Sequence, residues 1–252
     1  MIRRVTSPYA QDGFRIGFDW AATGAAAVPG SITAVVDVLS FTTTVTVAVD
    51  LGIDVYPYRW RDESAVAYAR QYDALLAVGR SEAGPGEVSL SPVTIRQAQG
   101  VERLVLPSPN GSTICQQLSD TGSTVIAVSL RNRAAAAEWV SKRLAEDPQL
   151  KVVAIAAGER WKDGSLRPAV EDLWGAGGFL SALDRAGMSP EARAAAAAYD
   201  EVAGELPSLL PDCAGGRELT QYGFPEDVAI AAEVDSSRLV PMLRDGKLTA
   251  ST

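Results

Sequence analysis

Asp37 stands at the mouth of an apolar run from Ile32 to Val49, ITAVVDVLSFTTTVTVAV, with Ser40, Thr42, Thr43 and Thr44 directly behind it. Such a run reads as a sheet strand turning into a helix, with a hydroxyl residue available as N-cap and Asp37 at the carboxyl end of the strand. In open α/β sheets ligands bind at that edge, and the orphan N–H groups of the following helix favour an anion. One acid beside an anion cradle suggests a metal bridging the two. The competing structural reading is that Asp37 caps the helix and the threonines merely pack.

Other predicted strands also end in groups that suit an anion or a metal. Pro107-Ser108-Pro109-Asn110-Gly111-Ser112-Thr113 fixes its approach with two prolines, lets Gly111 take an unusual turn, and offers Asn110 or Ser112 as a helix cap. Ser129-Leu130-Arg131-Asn132-Arg133 supplies Asn132 as a cap and Arg131 as a planar fork for phosphate, carboxylate or sulfonate. Further on come Gly158-Glu159-Arg160 and Arg167-Pro168-Ala169-Val170-Glu171-Asp172. Each has a structural explanation: Asn-Gly is a turn, Asn132 an ordinary cap, and Glu171-Asp172 favours the positive end of a helix without any metal. If the strands are parallel, these loops share one edge, and a purely structural reading must explain why acids, arginines and caps gather there. The Gly-Pro segment from Gly79 to Gly86 is too long for a hairpin alone and reads as a substrate loop or a plain surface connection.

Composition narrows the chemistry. The chain of 252 residues contains no histidine, which removes the commonest general base, the commonest zinc ligand and the usual partner of a nucleophilic Ser or Cys. Catalysis must then use carboxylates, Lys, Tyr, Cys or a hard metal, and oxygen ligands point to Mg²⁺ or a similar ion. A net charge of −8 with no stripe of Lys or Arg argues against a nucleic-acid partner. The basic start MIRRVTSPYAQDGF lacks an apolar core after it, and no stretch has the length to span a bilayer, so no membrane partner is expected. Two cysteines, Cys115 and Cys213, are too few for a disulfide scaffold and fit a reducing, cytoplasmic setting.

These residues need elements to hold them. Apolar β-rich runs recur at Ile32 to Leu39, Val55 to Trp60, Ala74 to Val78, Arg103 to Leu106, Thr124 to Leu130 and Val152 to Ala157. Helical segments lie between them at Asp62 to Tyr72, Pro92 to Gln99, Ser112 to Ser119 and Asn132 to Glu146. From Pro168 the pattern turns helical, with helices predicted over Ala169 to Ala186, Pro190 to Leu206 and Pro225 to Glu233, and a last strand over Leu239 to Leu243. The expectation is a three-layer α/β/α fold with a largely parallel or mixed sheet and a helix-rich C-terminal third. It is read as a single domain over 1–252, with two similar subdomains sharing one cleft as a variant. Apolar helix faces in that last third could pack on the sheet or on a second subunit, which leaves a homo-oligomer open.

Rival phosphate chemistries leave other marks. There is no G-x-x-x-x-G-K-[ST] loop and no G-x-G-x-x-G after a strand, and Gly175-Ala176-Gly177-Gly178 falls inside a predicted helix where it allows close packing. Neither cysteine is followed by the arginine of a phosphate-cradling loop, and Asp37 has Leu39 rather than a second Asp two positions on. A water nucleophile on a metal is the simplest remaining mechanism.

Taken in order, VVDVLSFTTTVTVAVDLG, Gly79 to Pro92, PNGST, SLRNRAAAAEWV, AAGER with VEDLWGAG, and GFPEDVAIAAEVDSSRLVPML cover nearly the whole chain. In these residues the sequence resembles the 2-phosphosulfolactate phosphatases, Mg-dependent hydrolases associated with coenzyme M biosynthesis. The resemblance implies a cytoplasmic phosphatase with a magnesium site, acting on a small anionic phosphate ester of a 2-hydroxy acid. Three departures bear on substrate: Ser40 stands where the family pattern has an arginine, Gly79-Arg80-Ser81-Glu82-Ala83 replaces Gly-Glu-Arg-Asn-Gly, and Leu90-Ser91-Pro92 replaces Asn-Ser-Pro. A lost arginine removes an anion contact worth ~1.5–3 kcal/mol, and Arg80 is the neighbouring candidate to replace it.

The resulting expectation places Mg²⁺ on some of Asp37, Glu171 and Asp172, with Glu82 or Glu159 as further candidates. The helix N-termini at Thr42 to Thr44 and Gly111 to Thr113, with Arg131, would stabilise charge on the transferring group, and Arg160 and Arg167 would bind the carboxylate or sulfonate. Two rivals stand beside it: a phosphatase for a different ester such as phospholactate, and a non-catalytic binder of an anionic metabolite.

Overall fold

Alternation of side chains along the central strands dictates the layering. In Val152–Ala156 the residues Val152, Ala154 and Ala156 join one apolar cluster while Val153 and Ile155 join another on the opposite face. A strand buried on both faces needs helices on both. The computed structural model describes residues 7–59, 62–119 and 121–251; the basic start over Met1 to Thr6 and the predicted strand residue Trp60 lie outside them.

The elements in chain order are β1 (Ile16–Trp20), α1 (Ala21–Ala27), β2 (Ile32–Val36), α2 (Phe41–Asp50), β3 (Asp54–Tyr58), α3 (Glu63–Gln71), β4 (Leu75–Leu76), α4 (Pro92–Gln97), β5 (Arg103–Pro107), α5 (Gly111–Leu118) and β6 (Thr124–Val128). There follow α6 (Arg133–Glu146), β7 (Val152–Ala156), β8 (Glu159–Arg160), β9 (Leu166–Arg167), α7 (Val170–Ser181), α8 (Pro190–Val202), α9 (Leu206–Leu209), α10 (Ala214–Gln221), α11 (Pro225–Ala231), β10 (Pro241–Arg244) and β11 (Lys247–Ala250). One sheet has the order β1-β7-β2-β6-β10-β11-β3-β5-β4, and β8 and β9 form a separate antiparallel pair. Helices α6, α7 and α8 cover one face, and α2, α4 and α5 the other, so the chain is a three-layer α/β fold with a mixed sheet.

The pairing corrects one expectation. Strands β1, β7, β2 and β6 are mutually parallel, as are β3, β5 and β4, but the hairpin of β10 and β11 joins the blocks by antiparallel pairing on both sides. The two blocks therefore run in opposite senses, and the loop after β5 does not share an edge with those after β2, β6 and β7 by parallel order. Strand β1, helix α1, the tail strand β11 and the β8–β9 pair are elements the sequence patterns did not mark. The predicted helix from Ala169 stops at Ser181, and that from Pro190 stops at Val202 before the short α9.

Helix α2 is buried at every residue from Phe41 to Val49, so its polar groups must bond internally. Thr42 Oγ1 donates to the Asp37 carbonyl at 2.8 Å, Thr43 Oγ1 to Val38 at 2.7 Å, and Thr44 Oγ1 to Leu90 at 2.7 Å. Glycines in α7 let it touch its neighbours: a Cβ on Gly175 would lie 2.6 Å from Val38 Cγ2, and one on Gly177 would lie 2.2 Å from the Ala195 carbonyl oxygen in α8. This contact draws the first turn of α7, with Glu171 and Asp172, against the end of β2. Among the described residues no helix is long and apolar enough to cross a membrane.

Candidate active site

The first turn of α2 is capped by Asp37, not by Ser40. Asp37 Oδ1 accepts the Phe41 N–H at 3.1 Å, and Ser40 at the N-cap position makes no side-chain capping bond. The second oxygen, Oδ2, accepts the Gly111 N–H at 2.9 Å and so ties the turn after β2 to the turn after β5. Gly111 is needed there, since a Cβ would fall 2.3 Å from Phe41 Cδ1 and 2.9 Å from Asp37 Oδ2. Burial, then the negative charge of Glu159 and Glu171, pushes the Asp37 carboxyl up to about 7 against the pull of its two backbone donors.

Asp172 is anchored in the same way, accepting Val38 N–H at 2.7 Å and Gly158 N–H at 2.8 Å. Burial and the charges of Asp37 and Glu171 raise its carboxyl well above the usual range. Adjacent residues on a helix point about 100° apart, so Glu171 leaves α7 in another direction. It meets the turn before α10: Cys213 Sγ donates to Glu171 Oε2 at 3.4 Å, and a Cβ on Gly215 would lie 2.2 Å from Oε1. Burial and the Glu171 charge hold the Cys213 thiol up at about 12, which keeps it a donor.

Glu159 completes the acid group from the β8–β9 pair. Burial raises its carboxyl, while the Asn110 side chain, hydrogen-bonded to it, and the nearby Arg167 act in the opposite direction. Glu159 and Arg160 line two adjoining cavities. One, of about 380 Å³, is bounded by Trp20, Asn110 and Thr113; the other, of about 540 Å³, by Arg80, Lys162, Arg167 and Glu171. Glu159 and Glu171 thus face a space walled by four cationic side chains, Arg80, Arg160, Lys162 and Arg167. Such a space suits a multiply charged anion with a cation bound beside it.

The family model described as 2-phosphosulpholactate phosphatase matches residues 21–246. The chain belongs to the 2-phosphosulfolactate phosphatase family. It is accordingly a phosphoric monoester hydrolase. A relative from Thermus thermophilus, named a probable 2-phosphosulfolactate phosphatase, is 32% identical over 219 residues, which is 83% of this chain and 86% of that protein.

Of the residues that the sequence reading put at the site, the structure gathers Asp37, Gly111, Asn110, Glu171 and Asp172, and it brings Thr113, Arg160, Arg167 and Arg80 to the adjoining cavity walls. It turns others elsewhere. The hydroxyls of Thr42 and Thr43 are spent on backbone carbonyls, and Ser112 Oγ donates to the Leu106 carbonyl at 2.9 Å, so none of the three points at a ligand. Arg131 is buried and pairs with Asp50 at 3.0 Å and with Glu233. Asp50 is the last residue of α2, roughly 14 Å along the helix from Phe41, and a buried guanidinium requires those counter-charges. Asn132 accepts Ser129 N–H at 2.9 Å and donates to the Ala127 and Leu239 carbonyls, fastening the end of β6 to the tail. Asn110 reaches Glu159 rather than capping α5. Glu82 folds its own loop by accepting Gly79 N–H at 3.2 Å.

Asp227, Ser91, Cys213 and Gly215 were given no role at the site by the sequence reading. Asp227 pairs with Arg80 at 3.0 Å and accepts the Ser91 hydroxyl, and Arg80 Nη2 also donates to Ser40 Oγ at 2.7 Å. The guanidinium therefore does reach the position where the family pattern has its arginine.

Among the described residues no three acids or thiols converge into a ready-made metal cage. The expected set of Asp37, Glu171 and Asp172 is not assembled as one, because the helical turn sends Glu171 and Asp172 apart. The donors nonetheless suit magnesium, which is commonly held by one or two carboxylates with water and phosphate oxygens filling the remaining positions. Each anchored carboxylate oxygen keeps a lone pair beyond its single N–H bond.

Proposed function

We propose that the chain hydrolyses the phosphate monoester of a 2-hydroxy acid, with 2-phosphosulfolactate as the first substrate to test, and that it does so with Mg²⁺. The observation that carries the reading is that Glu159 and Glu171, which share the cavity with Arg80, Arg160, Lys162 and Arg167, lie close enough to the buried Asp37 to raise its carboxyl, as Asp37 does that of Asp172. Asp37, with Glu171 or Asp172, would hold the ion. When bound, magnesium supplies charge neutralisation at the phosphoryl oxygens and makes water more acidic.

The protein groups do the remainder. Backbone N–H bonds hold Asp37 and Asp172 in fixed orientations before substrate arrives, so little reorganisation accompanies the reaction. Arg160 and Arg167, on the wall of the same cavity, balance the sulfonate of the ester. Glu159, whose carboxyl burial raises, is the candidate to hand a proton to the departing alkoxide oxygen. Phospholactate is a second ester to compare, because Ser40 in place of an arginine leaves the anion contacts to side chains from other loops.

Phosphate release from 2-phosphosulfolactate and phospholactate, each with Mg²⁺ and with EDTA, tests the proposal. Magnesium-dependent release from either, lost in Asp37→Asn with the fold retained, is expected. Full turnover by Asp37→Asn would remove Asp37 from the site, and ligand binding indifferent to EDTA without release would favour the non-catalytic binder.

A further inference from the structure

Two sets of arginines face the 540 Å³ cavity, and they are held differently. Arg160 donates to the Gly164 carbonyl within its own short β8–β9 turn, and Arg167 pairs at 3.6 Å with the exposed Glu218. Arg80 is fixed from three sides. Asp227, whose side chain is only 1% exposed, pairs with Nε, Ser40 accepts from Nη2, and the Phe224 ring lies under the guanidinium at 5.4 Å. Asp227 is itself oriented by the Ser91 hydroxyl. Ser40 belongs to the turn that begins at Asp37, so the guanidinium has a set position relative to that acid. A buried carboxylate is costly, and one use that offsets its cost is to hold a cation where flexible side chains would not stay.

We propose that Arg80 reads the carboxylate beside the phosphoryl group of the substrate, and that Asp227 and Ser91 are its positioning residues. This rests on the phosphatase reading above. The alternative role for the same contacts is to pin the segment Gly79 to Gly86 against α11.

A matched pair of esters separates the two roles. In 2-phospholactate a carboxylate adjoins the phosphate-bearing carbon; in glycerol 2-phosphate the phosphate also sits on a secondary carbon but no carboxylate is present. Asp227→Asn and Arg80→Lys are each expected to lower the ratio of kcat/KM for the first ester over the second by roughly 10-fold or more, mainly through KM. A pinning role lowers both rates by the same factor, and an unchanged ratio overturns the proposal. If Asp227→Asn does not fold, Arg80→Lys alone decides. Calorimetry in EDTA gives a reading independent of turnover: 2-phospholactate should bind Arg80→Lys more weakly than wild type while glycerol 2-phosphate loses far less, and equal losses overturn the proposal. Absence of phosphate release from every ester counts against the phosphatase reading, and the calorimetric comparison still decides the role of Arg80.

Discussion

Asp37 Oδ2 and the Gly111 N–H meet at 2.9 Å although their strands, β2 and β5, belong to blocks of opposite sense. One carboxylate thus caps α2 and also fastens the second block to the first.

That double duty sets the outcome of Gly111→Ala. The new methyl would fall 2.3 Å from the buried Phe41 ring and 2.9 Å from the carboxylate, and neither can withdraw freely. A loss of about 1–3 kcal/mol of stability is expected from overpacking. Activity should fall further than the unfolded fraction explains, because Asp37 moves. Urea unfolding with kcat measured on the folded protein checks both.

The acid cluster makes a pH prediction for the metal-free protein. Asp37 titrates at about 7 in the fold against 3.8 in the unfolded chain. An acid raised in this way contributes its stability below about pH 3.8 and loses it as pH climbs through 7. The loss amounts to about 4 kcal/mol in order of magnitude, and Asp172, shifted the same way, adds to it. In EDTA, Tm should therefore decline between pH 5 and pH 8, and Asp37→Asn should flatten that decline whatever its effect on Tm at any one pH. A wild-type Tm that stays level across this range would contradict the buried charge.

Arg131 provides the reverse test. Its ion pairs with Asp50 and Glu233 are structural, so Arg131→Met should cost roughly 2–4 kcal/mol, discounted because both acids are partly exposed. On the folded fraction, kcat/KM should stay within about 2-fold of wild type. A large fall in kcat/KM with little loss of stability would return Arg131 to the active site.

The sequence made some of this legible and hid the rest for physical reasons. Strand β2 and helix α2 were readable because a long apolar run broken by a single acid has few other solutions. The small residues of α7 were likewise read as a packing surface, and Gly177 against Ala195 bears that out. Strand β1 was hidden because its alternation of Ile16, Phe18 and Trp20 with Gly17 and Asp19 spans only five residues, and its pairing is supplied by β7, far along the chain. The relative sense of the two parallel blocks is set by β10 and β11, and no pattern within a strand carries that information. Arg131 looked like an anion fork because its counter-charges lie 81 residues before it and 102 after it. Arg80 was marked only through comparison with the family pattern, and the aspartate that holds it sits in a helix turn where acids are ordinary.

Residues 241–250 form the bridge between the blocks and follow every other strand of the sheet in sequence. During synthesis neither block can be joined to the other through that bridge until these residues leave the ribosome. Each half must meanwhile keep an unpaired strand edge, β6 on one side and β3 on the other, clear of neighbouring nascent chains.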